Sequence, residues 1–243
     1  LNVEPPEKSI RWINLLVYGE PGVGKTRFAG TALEHEALKP VLYLDVDGGI
    51  VTLRKNKDLD VRQVRSMGEA REIYNTLYKA VDWESKEPAL PFKTVVIDTL
   101  SELAKLDMRE IAKEANARNP NQNEYVPSQR EYLINGERVR EIVRAYRDLP
   151  CNVVFCCHSG DARDNSNAMI FFPQFTGKLR HEIAGFIDIV GYMTADTDKG
   201  EFVNQIQTVK TKRVSAKDRT DSLGGLVDNP TLPMLWDIIH SAK

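Results

Sequence analysis

Apolar positions fall along this chain in two rhythms, short unbroken runs suited to buried strands and stripes repeating every three to four residues suited to helices. Residues 13–18 (Ile-Asn-Leu-Leu-Val-Tyr) form the first run, and Phe28, Ala29, Ala32 and Leu33 follow at helical spacing. Residues 41–47 make a second apolar strand that ends in acids and a Gly-Gly turn, and residues 62–65 are expected as a short strand. Ala70, Ile73, Tyr74, Leu77 and Val81 give one helix face, and residues 94–98 (Thr-Val-Val-Ile-Asp) give another strand. Leu100, Leu103, Ala104, Met108, Ile111 and Ala115 then form a helical stripe, as do Ile134, Val139, Ile142, Val143 and Tyr146. Between these two helices, the Asn/Pro/Gln-rich residues 116–128 are expected as a loop.

The strand at residues 152–158 is followed by residues 159–174, which read as a polar, flexible loop with an apolar insert, Met169 to Phe172. A helix over 177–186, a strand over 187–193 and a longer strand over 202–213 complete the alternation. Alternating strands and helices predict a three-layer α/β fold with a mainly parallel sheet. The last two strands, joined by a tight turn at 196–200, are expected to run antiparallel at the C-terminal edge.

At 243 residues and 42% hydrophobic, the chain can bury one full core, and 1–243 is read as a single domain. Residues 1–11 read as a lead-in segment, and 214–243 as a C-terminal tail pinned on the core by Leu232, Leu235, Trp236 and Ile239. A net charge of −2 excludes a protein that coats nucleic acid by overall charge, so any such contact needs a local patch. The apolar runs are too short to span a bilayer and no signal segment opens the chain, which predicts a cytoplasmic protein without a membrane partner. The chain opens on Leu1 rather than Met, so further residues are expected upstream.

The most specific stretch is 19–26, Gly-Glu-Pro-Gly-Val-Gly-Lys-Thr, which fits G-x-x-x-x-G-K-[ST] between a strand and a helix. A triphosphate carries several negative charges, so a loop wrapping it needs many donors and little bulk. Gly19, Gly22 and Gly24 let backbone N–H groups point inward, with Glu20, Pro21 and Val23 between them and Arg27 just beyond. Lys25 is placed to reach the β- and γ-phosphates, and the Thr26 hydroxyl to ligate Mg²⁺.

Two strands end in acids, so the Mg²⁺ partner of Thr26 is either Asp45 or Asp98. We assign Asp98, because residues 41–47 then deliver Asp47 beside the γ-phosphate, where a carboxylate can orient the attacking water. Asp47 is equally read as the residue that forms the turn ahead of Gly48. His158, at the end of its strand, either senses the γ-phosphate by hydrogen bonding or is a strand-end histidine bonded to nearby backbone. Lys210 and Lys212 share one face of the expected strand, as a solvated edge or as charges that reach a neighbouring subunit's phosphates. The arginines at 130, 138, 140, 144 and 147 alternate with Glu131, Glu137 and Glu141, which reads as a salt-bridged surface rather than a DNA patch. Cys151, Cys156 and Cys157 read as buried core thiols, with adjacent side chains pointing to opposite sheet faces and poorly spaced for a metal.

In order, these parts resemble the RecA-like ATPase core, and most closely the short, core-only RecA-like proteins of phages used in single-strand annealing and recombination. Residues 19–26 resemble the Walker A motif and residues 94–98 the Walker B strand. Asp47 sits where that superfamily carries its catalytic Glu, one methylene longer. His158 takes the place of a phosphate-sensing Gln, and the Val-Lys-Thr-Lys of 209–212 resembles a strand that reaches a neighbour's ATP. The resemblance runs from about residue 15 to 213 and does not take in RecA's N-terminal arm or C-terminal domain.

It implies a RecA-like P-loop fold, ATP with Mg²⁺ as cofactors, and a homo-oligomer with ATP at its subunit interfaces. It also implies single-stranded DNA bound by the loop at 159–174 through Arg163, Phe171 and Phe172, a single-strand-binding protein as a further partner, and the host cytoplasm as the location if phage-encoded. The loop's other reading is a disordered or lid loop whose apolar residues fold onto the core. Three functions are carried forward: a DNA-stimulated ATPase acting in recombination or annealing, a helicase-like or loader motor, and a scaffold whose ATP hydrolysis only times assembly.

Overall fold

The computed structural model describes residues 12–241 apart from 86, 120–122, 124, 164–165 and 199–200, so the lead-in at 1–11 lies outside the described residues. β1 (Asn14–Gly19) runs into α1 (Lys25–Gly30), and a 3-10 turn leads on to β2 (Val41–Asp45) and β3 (Leu59–Gln63). α2 (Met67–Ala80), β4 (Thr94–Asp98), α3 (Leu100–Arg118) and α4 (Gln129–Arg147) follow. β5 (Asn152–Arg163), β6 (Met169–Pro173), α5 (Leu179–Phe186), β7 (Ile189–Asp198) and β8 (Glu201–Gln207) come next, and β9 (Lys217–Asp218), β10 (Leu226–Asp228) and α6 (Leu232–Ser241) close the order.

The strands form one sheet in the order β3-β2-β4-β5-β1-β7-β8-β10. Neighbours from β3 through β7 are parallel, whereas at the far edge β8 pairs antiparallel with β7 and β10 antiparallel with β8. This is the three-layer α/β architecture, with a mainly parallel sheet and antiparallel pairing at the C-terminal edge, that the alternation of strands and helices predicts. Side-chain alternation along the strands divides the core in two. Leu16, Tyr18, Leu44, Ile97 and Phe155 pack under α2, α3, α4 and α5, while Val17, Tyr43, Val96 and Cys156 pack against Phe28 and Ala29 of α1 and Leu235 of α6. Cys156 and Cys157 thus lie on opposite faces, both as free, buried thiols, and burial pushes the Cys157 thiol up to about 12. Among the described residues no helix is long and apolar enough to cross a membrane.

Local chemistry sets where the helices begin. The Thr99 hydroxyl accepts the Glu102 N–H at 3.2 Å, so α3 starts directly after Asp98. Ser128 and Glu131 form a capping box that opens α4. On α4, Arg140 pairs with Glu137 of the expected alternating face at 2.7 Å, whereas its second partner, Glu182 at 2.6 Å, and the buried Asp107 that holds Arg138 at 3.0 Å come from other helices.

Two expectations are corrected. Residues 159–163 and 169–173 are strands rather than loop: β5 continues to Arg163 and pairs antiparallel with β6, Ser159 opposite Pro173 through Arg163 opposite Met169. The long strand over 202–213 ends at Gln207, and the chain turns soon after, where the Thr211 hydroxyl accepts the N–H groups of Arg213 and Val214. Lys210 and Lys212 therefore lie in an exposed turn and share no strand face.

Candidate nucleotide-binding site

The loop from Gly19 to Thr26 is held tightly at its base. A Cβ on Gly19 would stand 2.3 Å from the Met193 carbonyl oxygen of β7, so only glycine lets β1 pass. Gly22 and Gly24 take φ of 84° and 97°, the left-handed region that favours glycine. Lys25 is buried, and its Nζ donates to the carbonyl oxygens of Gly19 and Glu20, each at 2.9 Å. Val23 packs against the α1-side core, whereas Glu20, Pro21 and Arg27 are exposed.

Strand register brings the acid to the loop. β2 and β4 pair with Tyr43 opposite Val96 and Asp45 opposite Asp98, so Tyr43, Val96 and Asp98 share the α1 face. The Thr26 hydroxyl donates to Asp98 Oδ2 at 2.6 Å, and the Tyr43 hydroxyl donates to the same oxygen. Asp45, opposite Asp98 in the register, does not line the cavity; its Oδ1 accepts the Gly48 N–H at 3.0 Å. Asp47 forms the following turn, accepting the Gly49 N–H at 3.0 Å, and also faces the loop. Partial burial, then the nearby Asp98 charge, pushes its pKa above the ordinary aspartate value.

His158, on β5, completes the arrangement. Its backbone N–H donates to Ser101 Oγ at 3.0 Å and its carbonyl accepts the Gln174 N–H at 2.9 Å. Its ring Nδ1 is buried without a hydrogen-bond partner among the described residues. Burial, with Lys25 and Lys105 nearby, lowers its pKa and favours the neutral ring. A single cavity of ≈ 550 Å³ is lined by Lys25, Thr26, Asp47, Asp98 and His158, with Pro21, Gly22, Gly24 and Arg27 of the loop.

A family model described as AAA domain matches residues 11–220. The chain belongs to the AAA domain family. No curated protein matches it. Among solved structures, a KaiC-like protein from the hyperthermophilic archaeon Pyrococcus horikoshii is similar at 14% identity and a TM-score of 0.41, over 89% of this chain and 88% of that one. Membership of the family makes this AAA domain a P-loop ATPase relative, in keeping with the loop and sheet order described above.

The donor set of the AAA domain fits Mg²⁺, which prefers hard oxygen ligands. The Thr26 hydroxyl spends its one proton on Asp98 and keeps lone pairs for a cation, and Asp98 and Asp47 contribute carboxylates to the same cavity. Among the described residues no group of three or more His, Cys, Asp or Glu forms a separate metal cluster.

Three residues at this site carried no mark in the sequence. Tyr43 reads as one more apolar strand residue, Thr52 as part of a turn, and Asn204 as a polar residue on an edge strand. Asn204 lines the cavity because β8 folds back beside β7, which sets its amide next to Gly24. Lys210 and Lys212 do not line the cavity of their own chain. The aromatic pair proposed for DNA is packed: Phe171 stacks on Tyr192 at 5.2 Å, and Phe172 is buried beneath the Arg180 guanidinium. The Phe171 N–H donates to the Arg213 carbonyl at 2.7 Å and its carbonyl accepts the Ser215 N–H at 3.0 Å, tying β6 to the segment that follows Lys212.

Proposed function

We propose that the protein is a Mg²⁺-dependent ATPase that binds single-stranded DNA as a homo-oligomer and acts in recombination or strand annealing, as in the phage proteins it resembles. The observation that carries the ATPase reading is the Thr26 to Asp98 hydrogen bond, which joins the phosphate loop to the acid of β4 beside Asp47 and His158. In this reading Lys25 binds the β- and γ-phosphates, Asp47 orients and deprotonates the attacking water, and the neutral His158 ring bonds a γ-phosphate oxygen. Mg²⁺ held at Thr26 and Asp98 supplies neutralising charge to the phosphates.

The DNA reading is supported by two adjoining cavities of ≈ 430 and ≈ 410 Å³ between α3, α4 and the start of α5, where the exposed Arg109 and Lys178 stand near the exposed Tyr132 ring. Cations with aromatic rings are the combination that holds a phosphate backbone and its unstacked bases. Gln174 and Ser101, which line one of these cavities, both bond the backbone of His158, so the groove adjoins the groups that anchor that residue's backbone.

ATP turnover with and without single-stranded DNA tests the proposal. Stimulation together with annealing of complementary strands is expected; stimulation with strand separation instead makes it a motor, and DNA-independent turnover leaves the scaffold. The trans role of Lys210 and Lys212 is tested by mixing Lys25→Ala with the Lys210→Ala/Lys212→Ala protein. Each alone is inactive in that reading, and mixed assemblies regain activity.

A further inference from the structure

We infer that Tyr43 is a positioning residue for the metal site, a phenol on the neighbouring strand that fixes the Asp98 carboxylate so that Asp98 and Thr26 together present oxygen to Mg²⁺. The inference rests on the reading of Asp98 and Thr26 as the metal pair. Tyr43 is fully buried in the middle of β2, among Val17, Phe28, Val41 and Val96, where an apolar side chain of equal size would pack as well. A buried hydroxyl in such a place demands a partner. The partner it has is not a backbone carbonyl but Asp98 Oδ2, the oxygen that already accepts from Thr26.

The two donors approach Asp98 from different elements, Thr26 from α1 and Tyr43 from β2. A carboxylate held by one hydroxyl can still rotate about its last bond, whereas two donors on one oxygen define its plane and leave Oδ1 free of both. Asp98 is 1% exposed, so little solvent competes for that orientation. The consequence extends to Thr26, whose proton goes to an immobile acceptor and whose lone pairs are thereby aimed consistently. Tyr43 touches neither nucleotide nor cation in this account and acts only through Asp98.

The test is Tyr43→Phe, which removes one oxygen and keeps the ring that packs against α1. A fluorescent ADP analogue is titrated with Mg²⁺ present and with EDTA, and the ratio of the two affinities is read, which divides out any general loss of structure. Tyr43→Phe is expected to lower the ratio about tenfold, the scale of losing a hydrogen bond to a charged group. It should have no further effect in an Asp98→Asn background. If Asp98→Asn collapses the ratio while Tyr43→Phe leaves it at the wild-type value, the positioning role is overturned and the metal pair stands. If Asp98→Asn itself leaves the ratio unchanged, the metal pair fails and the inference fails with it.

Discussion

Replacing Lys25 with alanine tests the loop in two ways at once, because the lysine is both a phosphate ligand in our reading and a brace of the loop itself. The sequence alone suggests a solvent-side phosphate ligand that contributes little to the core and whose loss leaves the fold intact, but the structure buries it with Nζ 2.9 Å from two carbonyl oxygens of its own loop. A hydrogen bond to a charged group contributes about 1.5–3 kcal/mol, and relief from holding a buried ammonium offsets part of the pair, leaving a net loss of about 2 kcal/mol. For a chain of this size each kcal/mol moves the melting midpoint by about 2–4 °C, so Lys25→Ala should melt about 4–8 °C lower in nucleotide-free buffer while remaining folded. The same protein should neither hydrolyse ATP nor gain thermal stability from Mg·ATP. Differential scanning calorimetry with a phosphate-release assay reads both effects. A midpoint equal to wild type would refute the bracing role, and normal hydrolysis would refute the phosphate role.

Three further outcomes follow from the same geometry. Gly19→Ala must push β1 off β7, since its methyl would stand 2.3 Å from a backbone oxygen; urea unfolding should show a loss of about 1–3 kcal/mol, and an unchanged midpoint would contradict the contact. Asp98→Asn should abolish the Mg²⁺ dependence of nucleotide binding, whereas Asp47→Asn should keep binding and slow hydrolysis by about 10²–10⁴-fold; the reverse pattern in titration and turnover would exchange their roles. Because the pKa of Asp47 is raised, its carboxylate is protonated over a wider acidic range. The acid limb of turnover should therefore lie above about 3.9, the ordinary aspartate value, and a limb at or below that value, measured where the fold persists, would refute the shift.

What could be read from the chain is what is local. The loop at 19–26, the strand that ends in Asp98 and the alternating arginine and glutamate face of α4 are each written within a few consecutive residues. The misreadings arise where pairing partners are distant. Residues 159–163 look polar enough for a loop, yet they pair with β6, and no single stretch encodes that match. The alternation in Val-Lys-Thr-Lys suggests a strand, but the Thr211 hydroxyl captures backbone N–H groups locally. Tyr43 and Asn204 reach the site only through strand register and the return of β8, relations that hydrophobic spacing does not express.

The backbone tie between Phe171 and residues 213 and 215 bears on how this protein can be recombined with its relatives. The hairpin of β5 and β6 looks like a self-contained cassette, bounded by a strand on one side and a helix on the other. Its outer hydrogen bonds nevertheless belong to a stretch some forty residues later. A chimera that exchanges the hairpin alone exports half of a bonded unit and leaves the segment after Lys212 without its anchor. An exchange that carries residues 208–215 along with the hairpin keeps both halves matched.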